Sequence, residues 1–562
     1  MLVRSLLTRT LLIPIAPLLP TSMYGNCCFT RHSPILSATA TSLLLLSTTM
    51  DDFEPNNPTM KKVVSDTDSS SEKELQLSES RSAFIKWAVH NAIPINCIQP
   101  LRLDDDDDDD DGKEDQNDPF LSCLDGAIEC SSASVVLLSE GFHNCKEMMM
   151  LHHRIIQHLI IHSGFQLVAT ESGMPESRDV ANYITSSSDR EYSKIEKETL
   201  WKKGLNQMYS AWVEGRELIE WMRGYNKKKM RQSIPIQQHP QKMIAYCGLD
   251  IGGFYSDWTY PMSKIQNYLK VQFPDFEAEW SRKIKPILDV MGNVQARYNY
   301  QHLLTPGQKS TLAILLDELV MELNSHGDEL EGDFEFEWAK QSAISMQLAE
   351  NYYRNYENML LTDAGTGIIS KYSGLDGREI AMANTMMWRL NLNHGEKDEA
   401  TRAVNGKKKK MVVINHVIHT KTATQYQGKI WGHFVPMGQL MKQMLTYHDQ
   451  SSERNAMFNI GMLYGSGTFW NKWQKPQERF IDTSPLTPND NDGLENVMKQ
   501  ISKESNMPNF FLHWEMAPKE AWVYLNEAST IRENDYNIRA YPLEWNGCVY
   551  LDIASPATPA AS

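Results

Sequence analysis

Apolar residues along this chain come in short runs, and most runs end on a group that carries charge or can move a proton. Ser134–Glu140 (SVVLLSE) is mostly β-branched and aliphatic, the signature of a buried strand. Lys146–His162 then sets Met148, Leu151, Ile155 and Leu159 at helical spacing, Gly164 offers a C-cap, and Phe165–Glu171 forms a second apolar run. Strand, helix and strand in this order predict a right-handed crossover, so the two strands should be parallel. Strand signatures recur at Met243–Asp250, Met411–His419 and Asn509–Glu515, with a last one, CVYLDI, starting at Cys548. Between the third and fourth, helical patterns dominate, among them Glu337–Leu361 and Gly377–Leu390. The expected fold is α/β: a central, mostly parallel sheet flanked by helices, with a large helical insertion (about residues 255–405) over the carboxyl edge of the sheet.

The first strand delivers Glu140 and, in the turn beyond it, His143; the second ends at Glu171, the third at Asp250, the fourth at Asn415, His416 and His419. In parallel α/β sheets, ligands bind in the crevice beyond the carboxyl ends of the strands. Taken singly, each residue has a plainer reading. Glu140 can favour the N-terminus of the helix after it, and Asp250 can be a turn residue ahead of Gly252 and Gly253. A single histidine is usually structural. That successive strands all close in this way outweighs those readings and points to one cleft.

A histidine oriented by a carboxylate serves as a general base because its pKa lies near working pH. Two carboxylates in one partly desolvated cleft push their pKa values apart. Such a set suits the activation of water against an ester or a similar electrophile. GxSxG, HExxH, P-loop and Rossmann glycine patterns are absent, which disfavours a serine nucleophile, a zincin helix and nucleotide chemistry. The rival is a divalent metal on His416 and His419, with Glu171 or Glu140 adding an oxygen ligand. Base catalysis without a cofactor is the preferred reading; a partner-binding protein without catalysis is the third.

The net charge of −16 argues against a nucleic-acid surface, which needs clustered Lys and Arg. The one basic run, Lys407–Lys410, reads as a solvated loop. Beyond residue 50 no uncharged apolar stretch reaches the roughly 18 residues of a membrane span. The eight cysteines include no CxxC pair, so they form neither a zinc pattern nor a disulfide framework and fit a reducing compartment. Residues 1–50 hold Arg4, Arg9 and Arg31 and no acid, and read as an organelle-targeting leader, mitochondrion ahead of plastid, with a secretory route as rival. Residues 51–78 are acidic and Ser-rich, a disordered linker, with order expected from near Arg81. Asp104–Asp111 repel one another, so about 101–118 reads as an exposed loop inserted in a domain spanning 79–555, and 556–562 as a flexible tail.

Eight blocks carry a resemblance: LLSEGFHN (137–144), GFQLVATE (164–171), EWMRGYN (220–226), YCGLDI (246–251), GREIAMANTMMW (377–388), VVINHVIHTKT (412–422), VPMGQLM (435–441) and LYGSGTF (463–469). In this order, over about residues 81–555, they resemble the erythromycin esterase family. The resemblance implies a hydrolase distinct from the serine esterases, in which a histidine activates water to open an ester or lactone of a small molecule. It implies His143 as that base, Glu140 as its close partner, Glu171 as a second essential carboxylate and His416 as a further catalytic residue of the cleft. Arg378 matches the arginine of an RDxxM-type block, and His419, Asp250, Arg378 and His152 are the residues expected on the substrate side. The chain departs from the family pattern at Ser139, where glycine is usual, and at His152, where resistance enzymes carry arginine and where His153 and Arg154 adjoin. Glu379 stands for the aspartate of the RDxxM block, and Asn384 and Thr385 for a Glu–Asn pair. The Glu/His set is kept, which keeps the hydrolase class; macrolide cleavage is the family's label.

Overall fold

Every residue of Val135–Glu140 and of Met411–His416 is buried, which is why these runs are continuously apolar rather than alternating: helices cover both faces of a parallel sheet. The computed structural model describes residues 67–101, 118–186, 190–232, 243–254, 257–292, 296–362, 376–391, 409–422, 425–426, 433–448, 456–470, 483–486, 493–526, 529–533, 536–540 and 542–560. The expected leader (1–50) and the run Asp104–Asp111 lie outside the described residues.

The strands are β1 (Ile93–Pro94), β2 (Val135–Glu140), β3 (Leu167–Gly173), β4 (Ala245–Asp250), β5 (Met411–His416), β6 (Gln425–Tyr426), β7 (His433–Phe434), β8 (Met457–Trp470), β9 (Thr483–Leu486), β10 (Asn509–His513), β11 (Ser529–Glu533), β12 (Tyr536–Ala540) and β13 (Gly547–Ala554). The main sheet runs β1-β10-β13-β8-β2-β5-β3-β4, with β9 beside the end of β8; β6–β7 and β11–β12 are separate ribbons. From β13 to β4 every pairing is parallel, while β1, β10 and β9 pair antiparallel. The α/β class and the mostly parallel sheet thus agree with the sequence pattern.

β2 and β3, which follow one another in the chain, are not neighbours: β5 is inserted between them. The chain leaves β2 towards β3 and leaves β5 in the opposite direction, towards β8, so a topological switch point lies between β2 and β5, where α/β sheets open a crevice. Glu140 and His416 are paired in register there.

The sheet packs on both sides. Val136, Leu138, Val412, Ile414 and Ile460 face Leu151, Ile155 and Leu159 of the helix Lys146–Ile161. On the other face Leu463, Leu512 and Tyr550 meet Val497 and Ile501 of the helix Leu494–Ser505, together with Phe84. Between β4 and β5, helices Thr259–Gln272, Pro274–Met291, Ala296–His302, Pro306–Ser325 and Phe334–Thr362 build their own core around Trp280, Leu316, Leu319 and Tyr353. Ala381, on the last inserted helix (Asp376–Asn391), and Ile418, just beyond β5, join that core. The insertion therefore rests on the carboxyl edge of the sheet.

Several expectations need correction. Strand β5 stops at His416, and Val417–Thr420 turn into a short helix with the His416 side chain as its N-cap. Strand β8 is hidden in the sequence by glycines. A Cβ at Gly461 would collide with the Trp545 ring, and Gly467 adopts φ 130° directly against Ala554 of β13. Glycine there records a close approach rather than a turn. Helix Thr67–Asn91 begins within the segment expected to be disordered; its Ser80 hydroxyl donates to the Glu520 carbonyl (2.6 Å) and accepts from the Tyr524 N–H (3.0 Å), which ties it to the body. Nor are residues 556–560 a flexible tail. Ala557 N–H donates to the Asn144 carbonyl (2.9 Å), the Thr558 carbonyl accepts from Val213, and Pro556 and Pro559 form β-bridges with Cys145 and Trp212. Such backbone pairing is invisible in a Pro/Ala-rich stretch. Among the described residues no helix is long and apolar enough to cross a membrane.

Candidate active site

Glu140 ends β2, and the chain turns at once, with Asn144 at φ 67°. The turn brings His143 back over the strand end, where its Nδ1 lies 2.6 Å from Glu140 Oε1, both side chains being buried. With Nδ1–H donated to the carboxylate, the imidazole lone pair resides on Nε2. Asn144 is held from two sides: its carboxamide oxygen accepts from Trp212 Nε1 (2.6 Å), and its carbonyl from Ala557. Ser139, one residue before Glu140, points to the other side of β2 and donates to Asn459 (2.6 Å).

His416, at the end of the neighbouring strand, places its ring 4.7 Å from that of His143 and 6.3 Å from that of His419. Its backbone N–H donates to Asn415 Oδ1 (2.8 Å) and to Glu171 Oε2 (3.3 Å). Glu171 and Asp250, from β3 and β4, converge on Arg378 of the insertion's last helix. The guanidinium donates Nε and Nη2 to the two Asp250 oxygens (2.8 and 2.6 Å) and Nη2 also to Glu171 Oε1 (2.6 Å), and it lies 4.4 Å over the Phe254 ring. Arg378 Nη1 is 3.1 Å from His419 Nε2. The next residue, Glu379, meets His419 Nδ1 at 2.6 Å and accepts from Met437 N–H at 2.8 Å.

The result is two carboxylate–imidazole pairs, Glu140–His143 and Glu379–His419, on either side of His416. Burial pushes the Glu171 carboxyl up, but the electrostatic pull of His419 and of the Arg378 guanidinium outweighs it and holds the group well below the usual carboxylate range. Burial, reinforced by His143 and His419, drives His416 well below the usual histidine range, against the pull of Glu171. Near neutral pH the centre is therefore an ionised Glu171 and a neutral His416.

The structure brings Glu140, His143, Glu171, Asp250, Arg378, His416 and His419 together. It does not bring His152, which lies inside the helix Lys146–Ile161 with no hydrogen bond or ring contact to any of the seven. Burial lowers its pKa to about 3, so it is a neutral core residue. Arg154 is likewise away from the cleft: it binds the Gln99 carbonyl (3.1 Å) and Asp118 (3.1 Å), either side of the Asp-rich segment. Glu379 is the residue that strand-end reasoning missed. It comes from a helix, and the resemblance named it only as the stand-in for the aspartate of the RDxxM block, next to Arg378. Of the rival set, His419 and Glu171 already meet the Arg378 cation, and among the described residues no group of three or more His, Cys, Asp or Glu is placed to hold a metal ion.

The sequence profile of the erythromycin esterases matches residues 160–542. The chain belongs to the erythromycin esterase family. No curated protein matches it. Among solved structures it resembles a Bacillus cereus protein (TM-score 0.62, 17% identity, 86% of this chain and 99% of the other) and a succinoglycan biosynthesis protein (0.60, 20%, 85% and 98%). It also resembles the erythromycin esterase EreC, bearing a histidine-to-asparagine substitution and in its open conformation (0.57, 14%, 83% and 98%). At these identities the likeness is one of fold. The family match begins after Glu140 and His143, so their link to the other site residues rests on the geometry. Of the departures from the family pattern, Ser139 is satisfied by Asn459 and Thr385 donates to the Ala381 carbonyl of its own helix (2.9 Å). Neither alters the Glu/His cluster.

Proposed function

We propose that this chain is a metal-independent hydrolase that cleaves a carboxylic ester or lactone of a small molecule, with His143 as the general base. The observation that carries the reading is the buried 2.6 Å contact between Glu140 and His143 beside the His416 ring. Glu140 holds the Nδ1–H tautomer and stabilises the imidazolium once Nε2 has taken a proton from water. Neutral His416 fits beside that imidazolium because it adds no second positive charge. Glu171, Asp250 and Arg378 fix the floor of the cleft. The Glu379–His419 pair offers a second proton carrier on the substrate side.

The test is hydrolysis of a panel of esters and lactones, a macrolide among them, by the full chain with and without chelator. His143→Ala is expected to lose about 10²–10⁴-fold in kcat, the worth of a positioned base. Glu171→Gln should also fall sharply while keeping its fold, and chelator should change nothing. Full turnover in His143→Ala, or loss of activity with chelator, would overturn this mechanism.

A further inference from the structure

The segment after the helix Lys194–Gly204 is laced to the site at both ends. Asn206 donates from its carboxamide to the Glu171 carbonyl (2.9 Å) and from its backbone to Ser172 (3.1 Å), and Trp212 binds Asn144 beside His143. Between these two anchors lies Tyr209. Its ring packs in the main core, and its residue is 6% exposed. The hydroxyl is shielded from solvent and has no hydrogen-bond acceptor among the described residues, although a buried phenol ordinarily finds one. It lies within the field of both Glu140 and Glu171, and the Glu171 backbone N–H faces its oxygen.

A buried donor kept without an acceptor, next to the carboxylates that organise the base, is what a site needs where negative charge forms only during the reaction. We propose that the Tyr209 hydroxyl is a catalytic residue that donates a hydrogen bond to the oxyanion of the tetrahedral intermediate, a role that rests on the hydrolytic reading above. His143 Nε2 removes a proton from water, and the water oxygen bonds to the acyl carbon. The carbonyl π pair moves onto oxygen, where Tyr209 meets it while keeping its own proton. When the carbonyl re-forms, the bond to the leaving alkoxide breaks, and that oxygen takes the proton back from His143, leaving acid and alcohol. Burial, with the charges of Glu140 and Glu171, raises the phenol well above its usual range, so it stays a donor throughout.

Tyr209→Phe separates this role from a structural one. Wild type, Tyr209→Phe and His143→Ala are compared in turnover of the ester and lactone panel, in calorimetric binding of a phenylphosphonate monoester as the tetrahedral anion, and in Tm. The expected result is a loss of about 10²–10³-fold in kcat with little change in KM, weaker phosphonate binding, and a Tm close to that of the wild type, because the hydroxyl donates to none of the described residues in the resting protein. Wild-type turnover that depends on His143 but survives in Tyr209→Phe would overturn the donor role and leave the hydrolytic reading intact. A fall in Tm that accounts for the lost activity would also overturn it. A wild type without turnover whose phosphonate affinity still depends on Tyr209 would keep the donor and overturn the hydrolytic reading. Equal phosphonate affinity in the two proteins, without turnover, would overturn both.

Discussion

Arg378→Met is expected to destabilise the protein by about 3–5 kcal/mol, the penalty for stranding buried charge when one partner of an ion pair is removed. Arg378 gives Asp250 two hydrogen bonds and Glu171 a third, and both carboxylates are at most 2% exposed. Methionine keeps much of the volume against Phe254 but leaves two carboxylates without their cation. Neutralising one of them should recover part of the loss, so Arg378→Met with Asp250→Asn is expected to be more stable than Arg378→Met alone. The sign of the pH dependence follows. In the wild type the folded Glu171 pKa is depressed, so its contribution is present above the unfolded pKa and lost as pH falls through the folded value. Without Arg378 one of the pulls that depress that pKa is gone and the folded value rises, so the penalty is largest at neutral pH and shrinks as the group protonates. Denaturant unfolding at pH 7 and pH 5 measures both effects. A loss below about 1 kcal/mol, or one that grows on acidification, would refute the assignment of Arg378 as the neutralising centre.

Acid should unfold this protein early. Burial lowers His152 and His153 to about 3 and His416 well below its ordinary value of 6.5. Each of these groups binds a proton readily only in the unfolded chain. Their stabilising contribution is complete above the unfolded pKa of about 6.5 and is lost as pH falls from there towards the folded values. Three such groups give a slope approaching 4 kcal/mol per pH unit once the unfolded histidines are protonated. Against a net stability of about 5–15 kcal/mol, that places acid unfolding near pH 4–5. Replacing His152 by Leu removes one titrating group from an unpartnered core position and should lower the slope by about a third. Thermal melts from pH 7.5 to 4 read it directly; an unchanged slope would show that His152 takes up its proton in the folded state.

These expectations draw on the two kinds of information the chain carries. The buried strands announced themselves as continuous apolar runs because a parallel sheet covered on both faces needs no polar side, and the polar residues closing them marked the cleft because they had no place in the core. That is why the convergence of Glu140, His143, Glu171, Asp250 and His416 could be anticipated by position alone. His152 was misplaced because a resemblance in alignment says nothing about which face of a helix turns inward, and packing turned this one into the core. Tyr209 comes from a short turn that nothing local distinguishes, and Glu379 from a helix of the insertion, where the family block marked it only as a stand-in for aspartate. Their proximity to the site exists only after long-range contacts have formed, Arg378 to Asp250 across the insertion and Asn206 to Glu171 across the sheet edge.

The sequence by itself determined the α/β class, the parallel core strands and the acid–base character of their ends, because burial and alternation act over a few residues and are written in local pattern. Only the tertiary structure decided that β5 enters between β2 and β3, which seats His416 beside Glu140. It alone decided that Arg378 neutralises two carboxylates and that the last residues brace the His143 turn. The physical reason is one of range. Strand order, the pairing of buried charges and the course of a Pro/Ala-rich tail are settled by contacts between residues hundreds of positions apart, and no local pattern records them.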